Sequence, residues 1–163
     1  GEHDWETGLE YNHNKVNIHT YTCWDFQTQL EAHKIHALEA YYHPDGQVKK
    51  KFELDGWPQL DLDLTKLRHE LSAKASNSFV KAKKKIEVEK DYYIGWKSLF
   101  HALRILNFGI QIAEKGCIDY GAANDYWFDI LNSQQYNWSY FKDKYQPEYN
   151  RLGTEFRKLA PKE

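Results

Sequence analysis

The stretch DYYIGWKSLFHALRILNFGIQIAEKG, residues 91–116, is the longest uninterrupted helical pattern in the chain and contains no proline. Its apolar residues recur at alternating steps of four and three, which places them on one stripe of an α-helix. Other apolar side chains widen this surface almost around the cylinder, so the pattern predicts a central helix covered on several sides. Gly116 follows Lys115 as a C-terminal stop signal. The stripe consists of Tyr92, Trp96, Leu99, Leu103, Leu106, Ile110 and Ala113.

A narrow polar strip interrupts this helix on the side opposite the stripe. It is formed by Lys97, His101, Arg104 and Gln111. Two cations and a histidine on an otherwise apolar helix are costly unless they face water, a counter-charge or an anionic ligand. The strip therefore predicts either a solvated face with ion pairs or an anion site, and the residues alone leave both readings open.

Composition narrows the class of protein. A chain of 163 residues is one domain of ordinary size, and its net charge of −2 excludes a uniformly basic nucleic-acid coat but permits a local basic patch. Cys23 and Cys117 have no metal-like spacing, which favours a reducing, intracellular and cytoplasmic compartment. No apolar run is long enough to span a membrane. The chain lacks methionine and starts at Gly1, which predicts further residues upstream in the natural protein.

The N-terminal third combines strand and helix signals. Residues 15–23 carry β-branched side chains at period two and predict a strand, and Leu9 and Tyr11 alternate as in a short edge strand. Thr22 or Asp25 can cap a single helix that runs to about residue 42. The predicted fold class is α+β and predominantly helical, with this β element packed on a helical bundle centred on residues 91–115.

The predicted domain organisation is one domain, residues 1–163, made of a strand-plus-helix part at 13–43 and a helical part at 60–160. Asp61 and Asp63 precede a helical pattern and predict helix capping, with a metal-binding Asp-x-Asp pair as the alternative. Pro147 predicts the first turn of a last helix that is separate from a helix at 138–145.

A second basic feature lies between these segments. Ser76 or Asn77 is the predicted start of a helix that runs to about residue 91. Four lysines crowd its exposed side and create a local positive field, which indicates either a solvated face or a nucleic-acid-binding face. These lysines are Lys81, Lys83, Lys84 and Lys85.

The sequence lacks the motifs of several common nucleotide-binding and hydrolytic enzymes. The chain has no phosphate-binding Walker loop, no dinucleotide-binding glycine pattern and no nucleophile elbow. His33 and His36 lie three residues apart on a predicted helix, where a metal pair is the alternative to the expected surface histidines.

The order of segments resembles the non-catalytic two-thirds of predicted nucleotidyltransferases of the DNA polymerase β superfamily, in the bacterial and phage RNA-repair-associated branch. The similarity extends over residues 13–131 and lacks that family's N-terminal catalytic motif. Residues 16–22 (VNIHTYT) look like its strand, and residues 26–40 look like the helix that follows. Residues 72–83 are similar to its Ser-Lys stretch and Phe-x-x-Tyr-Ala-Lys helix, and residues 96–118 resemble its Lys…His-x-x-Arg-Leu-Leu…Gly-x-Ile signature.

The resemblance implies a site that holds a nucleoside triphosphate, Mg²⁺ and an RNA end or other acceptor. The paired metal-binding carboxylates are expected upstream of the strand, and Asn17 occupies the position of the third carboxylate, so the catalytic residues are unknown and activity is doubtful. The strip on residues 91–115 is expected to face the strand that bears Asn17. The implied phosphate- or nucleotide-binding residues are Ser72, Lys74, Lys97, His101 and Arg104.

Three functions are therefore open. The first is a truncated or degenerate nucleotidyltransferase-like domain, and the second is a non-enzymatic RNA-binding or protein-interaction helical module. The third is a structural piece of a larger assembly, with an interface made by exposed aromatic residues at Tyr136, Trp138 and Tyr140.

Overall fold

The protein is described by a computed structural model that covers residues 9–13, 16–44 and 58–162, with only the backbone described for residues 9–13 and 16–17. The chain divides into two compact units, residues 1–61 and 62–163. The prediction of one domain, residues 1–163, stays a prediction. The predicted fold class, α+β and predominantly helical, is confirmed.

The first unit contains an antiparallel strand pair, β1 (Leu9–His13) and β2 (Val16–Thr20). The predicted strand ends at Thr20 rather than at residue 23, because Thr22 serves instead as the N-cap of a helix and its side chain accepts a hydrogen bond of 3.1 Å from the Asp25 backbone N–H. An N-cap residue needs extended backbone, so it can follow a strand directly.

Two short helices follow in place of the single predicted helix. They are α1 (Cys23–Glu31) and α2 (Ile35–Tyr41), and His33 between them has a left-handed backbone with φ of 55°. The His33 ring is buried and its Nδ1 lies 3.0 Å from the Glu31 carbonyl oxygen. A left-handed residue cannot continue an α-helix, so the prediction of one helix to residue 42 was wrong.

The second unit is built around the predicted central helix, α4 (Tyr92–Lys115). Asp91 caps its N-terminus, and Gly116 ends it in the left-handed conformation at φ of 62°. Leu99, Leu103 and Leu106 are buried, as the stripe predicts. Helix α4 contacts α3 (Leu64–Glu87), α5 (Asn124–Asn132) and α6 (Trp138–Leu159), so the prediction of a helix covered on several sides is confirmed.

Helix α3 is one continuous helix, and the predicted start of a new helix at Ser76 or Asn77 was wrong. Its buried face continues without a break through Leu71, Ala75 and Ser78, so packing on the core outweighs the weak helix propensity of serine and asparagine. Asp63 caps this helix by accepting a 2.9 Å hydrogen bond from the Lys66 backbone N–H, which confirms the capping prediction.

Helix α6 is also longer than predicted, because Pro147 lies inside it rather than in a first turn. Proline removes one backbone donor from a helix. The buried residues Tyr145 and Leu152 on either side of Pro147 belong to one apolar face, and their packing keeps the helix continuous. Within the described residues, no helix has the length and apolar character needed to cross a membrane.

Candidate anion-binding site

The facing sides of α3 and α4 enclose a cavity of about 510 Å³. Only four residues separate the two helices, so they run antiparallel and present their side chains to each other. From α3 the lining positions are spaced at i, i+3, i+4 and i+7, which is one helix face. We call this cavity the basic groove. It is lined by Lys74, Asn77, Ser78 and Lys81 of α3 and by Ile94, Lys97, Ser98, Phe100, His101 and Arg104 of α4.

The basic groove is strongly positive. Three lysines and one arginine line it, and among the residues that the structure describes no aspartate or glutamate does. Within the described part of the chain, Lys74, Lys81 and Lys97 make no ion pair with a carboxylate, whereas neighbouring lysines on the outside of α3 do: Lys83 lies 3.7 Å from Glu87 and Lys84 lies 3.3 Å from Glu89. Like charges gathered around one groove repel one another, and Lys74, Lys81 and Lys97 have no carboxylate partner among the described residues, so the groove is suited to an anion.

The guanidinium of Arg104 is held in place by three neighbours on its own helix. Its Nη2 donates to Nδ1 of His101 over 3.1 Å. Its Cζ lies 5.7 Å from the ring centre of Phe100 and 5.4 Å from that of Phe108. A cation fixed between aromatic rings keeps its planar fork of donors in one orientation, which favours recognition of phosphate oxygens.

His101 is neutral at physiological pH. Burial, together with the positive charges of Arg104, Lys74 and Lys81, lowers its pKa from 6.5 to about 4. Arginine can only donate hydrogen bonds, so Nδ1 of His101 is the acceptor and the proton of the neutral ring is on Nε2. The net positive charge of the groove therefore comes from its lysines and its arginine.

Four of the five residues implied by the nucleotidyltransferase resemblance come together in the basic groove: Lys74, Lys97, His101 and Arg104. Ser72 is not among the lining residues, because it precedes Lys74 by two positions and therefore lies on nearly the opposite side of α3, about 200° around the helix axis. Gln111 of the polar strip is also outside the groove. Its side chain donates to the Asp119 carbonyl oxygen at 3.2 Å and accepts from the Asp119 backbone N–H at 2.6 Å.

The structure divides the predicted lysine face. Lys81 lines the basic groove, and Lys83 instead lines a second cavity of about 380 Å³ that also contains Glu87. Lys85 pairs with Glu89 and lies 3.6 Å from Asp91. Apart from Lys81, this face is therefore largely neutralised by its own carboxylates.

Three polar residues of the groove were missed from the sequence: Asn77, Ser78 and Ser98. The first two share a helix face with Lys74 and Lys81, a pattern that was hidden when a helix break was predicted at residues 76–77. Ser98 donates to the Ile94 carbonyl oxygen at 2.8 Å, and a serine in the middle of an apolar run gives no other signal.

Comparison with protein-family models, with curated proteins and with solved structures finds no match.

The nucleotidyltransferase resemblance thus stays a prediction. The backbone of Asn17 pairs with Asn12 in the two-stranded sheet, but the Asn17 side chain lies outside the described residues. The expected opposition of Asn17 to Lys97 and Arg104 likewise stays a prediction.

The described side chains do not form a ligand set for a metal ion. Within residues 9–13, 16–44 and 58–162, no group of three His, Cys, Asp or Glu side chains is placed to hold an ion. His33 is buried, so its expected surface position was wrong, and His36 stacks on Tyr21 with ring centres 5.7 Å apart. The described lining residues of the basic groove include no carboxylate, so they do not by themselves supply the charged oxygen ligands that Mg²⁺ prefers.

The three aromatic residues predicted to form an interface differ in exposure: Trp138 is buried, Tyr140 is half-buried and Tyr136 is exposed. Trp138 is buried against Phe79, with ring centres 5.4 Å apart, so its predicted exposure was wrong. Tyr136 is exposed, but its ring contacts Tyr92 at 4.9 Å and Trp96 at 5.6 Å.

Proposed function

We propose that the basic groove binds the phosphate groups of a nucleotide or of an RNA end, and that residues 62–163 are the phosphate-binding part of a nucleotidyltransferase-like protein. The observation that supports this proposal is the collection of Lys74, Lys81, Lys97 and Arg104 around one cavity. A bound phosphate relieves the repulsion among Lys74, Lys81 and Lys97 and accepts hydrogen bonds from them.

The dimensions of the groove suit a small ligand. Its volume of about 510 Å³ lies within the range of about 300–1,000 Å³ that is usual for small-molecule sites. The cations come from two antiparallel helices, so a phosphate between them has donors on opposite sides. Lysine supplies mobile point charges, and the ordered guanidinium of Arg104 supplies a directional pair of donors.

For the described residues we propose phosphate binding and no catalytic step. Transfer of a nucleotide requires carboxylates that position metal ions on the phosphates, and the resemblance places these residues upstream of β2. Nucleotide transfer, Mg²⁺ and the acceptor accordingly remain predictions about the protein to which these residues belong.

The non-enzymatic RNA-binding alternative is less well supported. It depends on the lysines of the outer face of α3, and these make ion pairs with Glu87 and Glu89. A phosphate of an RNA strand would have to compete with those carboxylates.

The test is calorimetric titration at low ionic strength with tripolyphosphate and with a nucleoside triphosphate, each with and without Mg²⁺. Arg104→Ala should weaken binding about 10- to 150-fold, the usual effect of losing a hydrogen bond to a charged group. Lys115→Gln, which removes an exposed cation at the C-terminal end of the same helix, is the matched control and should leave the affinity unchanged. Absence of binding at millimolar ligand, or equal losses in the two variants, contradicts the proposal.

A further inference from the structure

An aromatic cluster adjoins the basic groove beside Lys97. Tyr93 and Phe100 lie four residues before and three residues after Lys97, on the same side of α4. Trp127 of α5 contacts both rings, with centres 6.1 Å from Tyr93 and 5.6 Å from Phe100. The Lys97 Nζ lies 5.6 Å from the centre of the Tyr93 ring. We call Tyr93, Phe100 and Trp127 the aromatic shelf.

We propose that the aromatic shelf binds the base of a nucleotide whose phosphates occupy the basic groove. This inference rests on the proposed function and specifies its ligand as a nucleotide rather than an inorganic or purely anionic phosphate compound.

The first support is the exposure of Tyr93. This residue is 55% exposed although it sits beside two other aromatic residues, Phe100 and Trp127. The edge-on contact with Trp127, at an interplanar angle of 77°, holds the ring in place. An ordered and accessible aromatic ring is the surface on which a nucleobase stacks.

The second support is the order of groups along α4. Aromatic and cationic residues alternate in the sequence Tyr93, Lys97, Phe100 and Arg104. Tyr93 and Lys97 are separated by about 6 Å along the helix axis, at 1.5 Å per residue, which is a distance that the sugar of a nucleotide can bridge. A base on Tyr93 would thus place its phosphates at Lys97, with Arg104 and the α3 lysines further along the groove.

A mononucleotide fits the shelf better than a nucleic-acid strand does. Proteins that bind single strands provide successive aromatic rings for successive bases along a basic track. In the described part of the chain, the aromatic shelf offers one exposed ring, Tyr93, while Phe100 and Trp127 are half-buried. The shelf accordingly has room for one base.

The test compares a nucleoside triphosphate with tripolyphosphate, which has the phosphates but no base, on three variants. In the wild type the nucleotide should bind about 5- to 150-fold more tightly than tripolyphosphate, the usual contribution of one stacked base. Tyr93→Leu should abolish this preference and leave tripolyphosphate binding unchanged, and Tyr93→Phe should retain it. Tyr136→Leu is the matched control, because Tyr136 is also 55% exposed and is not part of the aromatic shelf.

A spectroscopic measurement checks the same contact independently. Stacking on the shelf should quench the fluorescence of Trp127, and the nucleotide-dependent part of the change should disappear in Trp127→Phe. Equal affinities of the wild type for both ligands, or a nucleotide preference that survives Tyr93→Leu, would overturn the inference while leaving the phosphate site intact. Failure of tripolyphosphate itself to bind would instead overturn the proposed function. If a single-stranded RNA without terminal phosphates binds more tightly than the nucleotide, the ligand is a nucleic-acid strand and the inference of a mononucleotide is wrong.

Discussion

Nδ1 of His101 accepts a hydrogen bond of 3.1 Å from Nη2 of Arg104. The two residues are three positions apart on α4, so their side chains emerge from the same face of the helix. The bond exists only while the imidazole is neutral, because a protonated ring would be a second donor facing a guanidinium. His101 therefore positions Arg104, and its protonation would disturb the groove.

The stability of the protein should depend on pH through His101. Its pKa is about 4 in the folded protein and 6.5 as the ordinary value, so the unfolded chain takes up the proton first as the pH falls. The contribution of neutral His101 to the free energy of unfolding is fully present above about pH 6.5 and is lost progressively as the pH falls toward 4. We expect a loss of about 2 kcal/mol between pH 7 and pH 5, measured by urea unfolding. His101→Gln should show a smaller dependence, and identical pH profiles for the two proteins would contradict the assigned protonation state.

Phosphate should raise the pKa of His101. The charged groups that face this ring are Lys74 and Lys81 from α3 and Arg104 from α4, and all of them disfavour the imidazolium. A bound anion reverses that balance, so saturating tripolyphosphate should raise the pKa by about one unit or more. The measurement is an NMR titration of the imidazole C–H signals, assigned by comparison with His101→Gln. An unchanged His101 titration at saturation would place the anion elsewhere.

Gly109 should be intolerant of a side chain, because it is where α4 meets α6. A Cβ at this position would lie 2.9 Å from two ring atoms of Phe156 and 3.2 Å from Leu71 Cδ1. Gly109→Ala is therefore expected to destabilise the fold by about 1–3 kcal/mol through overpacking. Gly153→Ala is the matched control on α6: its Cβ would approach only the end of the Arg157 side chain, at 3.2 Å, so a gain of about 0.5–1 kcal/mol is expected. Equal midpoints of urea unfolding for the two variants would contradict the close packing of α4 on α6.

Tyr145 should contribute to the attachment of α5 to α6. Its hydroxyl donates to a carboxylate oxygen of Asp129, and Lys144 Nζ donates to the same carboxylate at 2.8 Å. These two bonds, with Lys144 the larger cause, lower the pKa of Asp129. Tyr145→Phe is expected to cost about 1 kcal/mol in urea unfolding and to raise the Asp129 pKa.

Tyr140→Phe serves as the comparison for Tyr145→Phe. Among the described residues, the Tyr140 hydroxyl accepts only a 3.5 Å contact from Lys144. Its removal should change stability much less. A larger loss from Tyr140→Phe than from Tyr145→Phe would mean that the Asp129 contacts do not hold α5 in place.

The central helix was predictable because its signals are local. Asp91 and Gly116 mark its ends, and both act through atoms within four residues of themselves. Its apolar periodicity is likewise a property of one segment, since the 3.6-residue repeat places Leu99, Leu103 and Leu106 on the same side in any folded arrangement. For the same reason, the strip of Lys97, His101 and Arg104 could be recognised.

Two errors came from local signals that the core outweighs. Ser76 and Asn77 are typical of a helix start, and Pro147 is typical of a first turn. In α3 and α6, however, apolar faces continue on both sides of these residues and pack on α4. Burial of a continuous face contributes more than the unfavourable propensity of a single residue.

Residues 91–116 alone are enough to establish a capped helix with a basic strip, because those properties depend on neighbours along the chain. Whether that strip is solvated, ion-paired or gathered around a cavity depends on which helix lies opposite. The folded chain answers this by setting Lys74 and Lys81 of α3 against Lys97 and Arg104 of α4. Their proximity is a consequence of how the two helices pack, and burial between them is also what keeps His101 neutral.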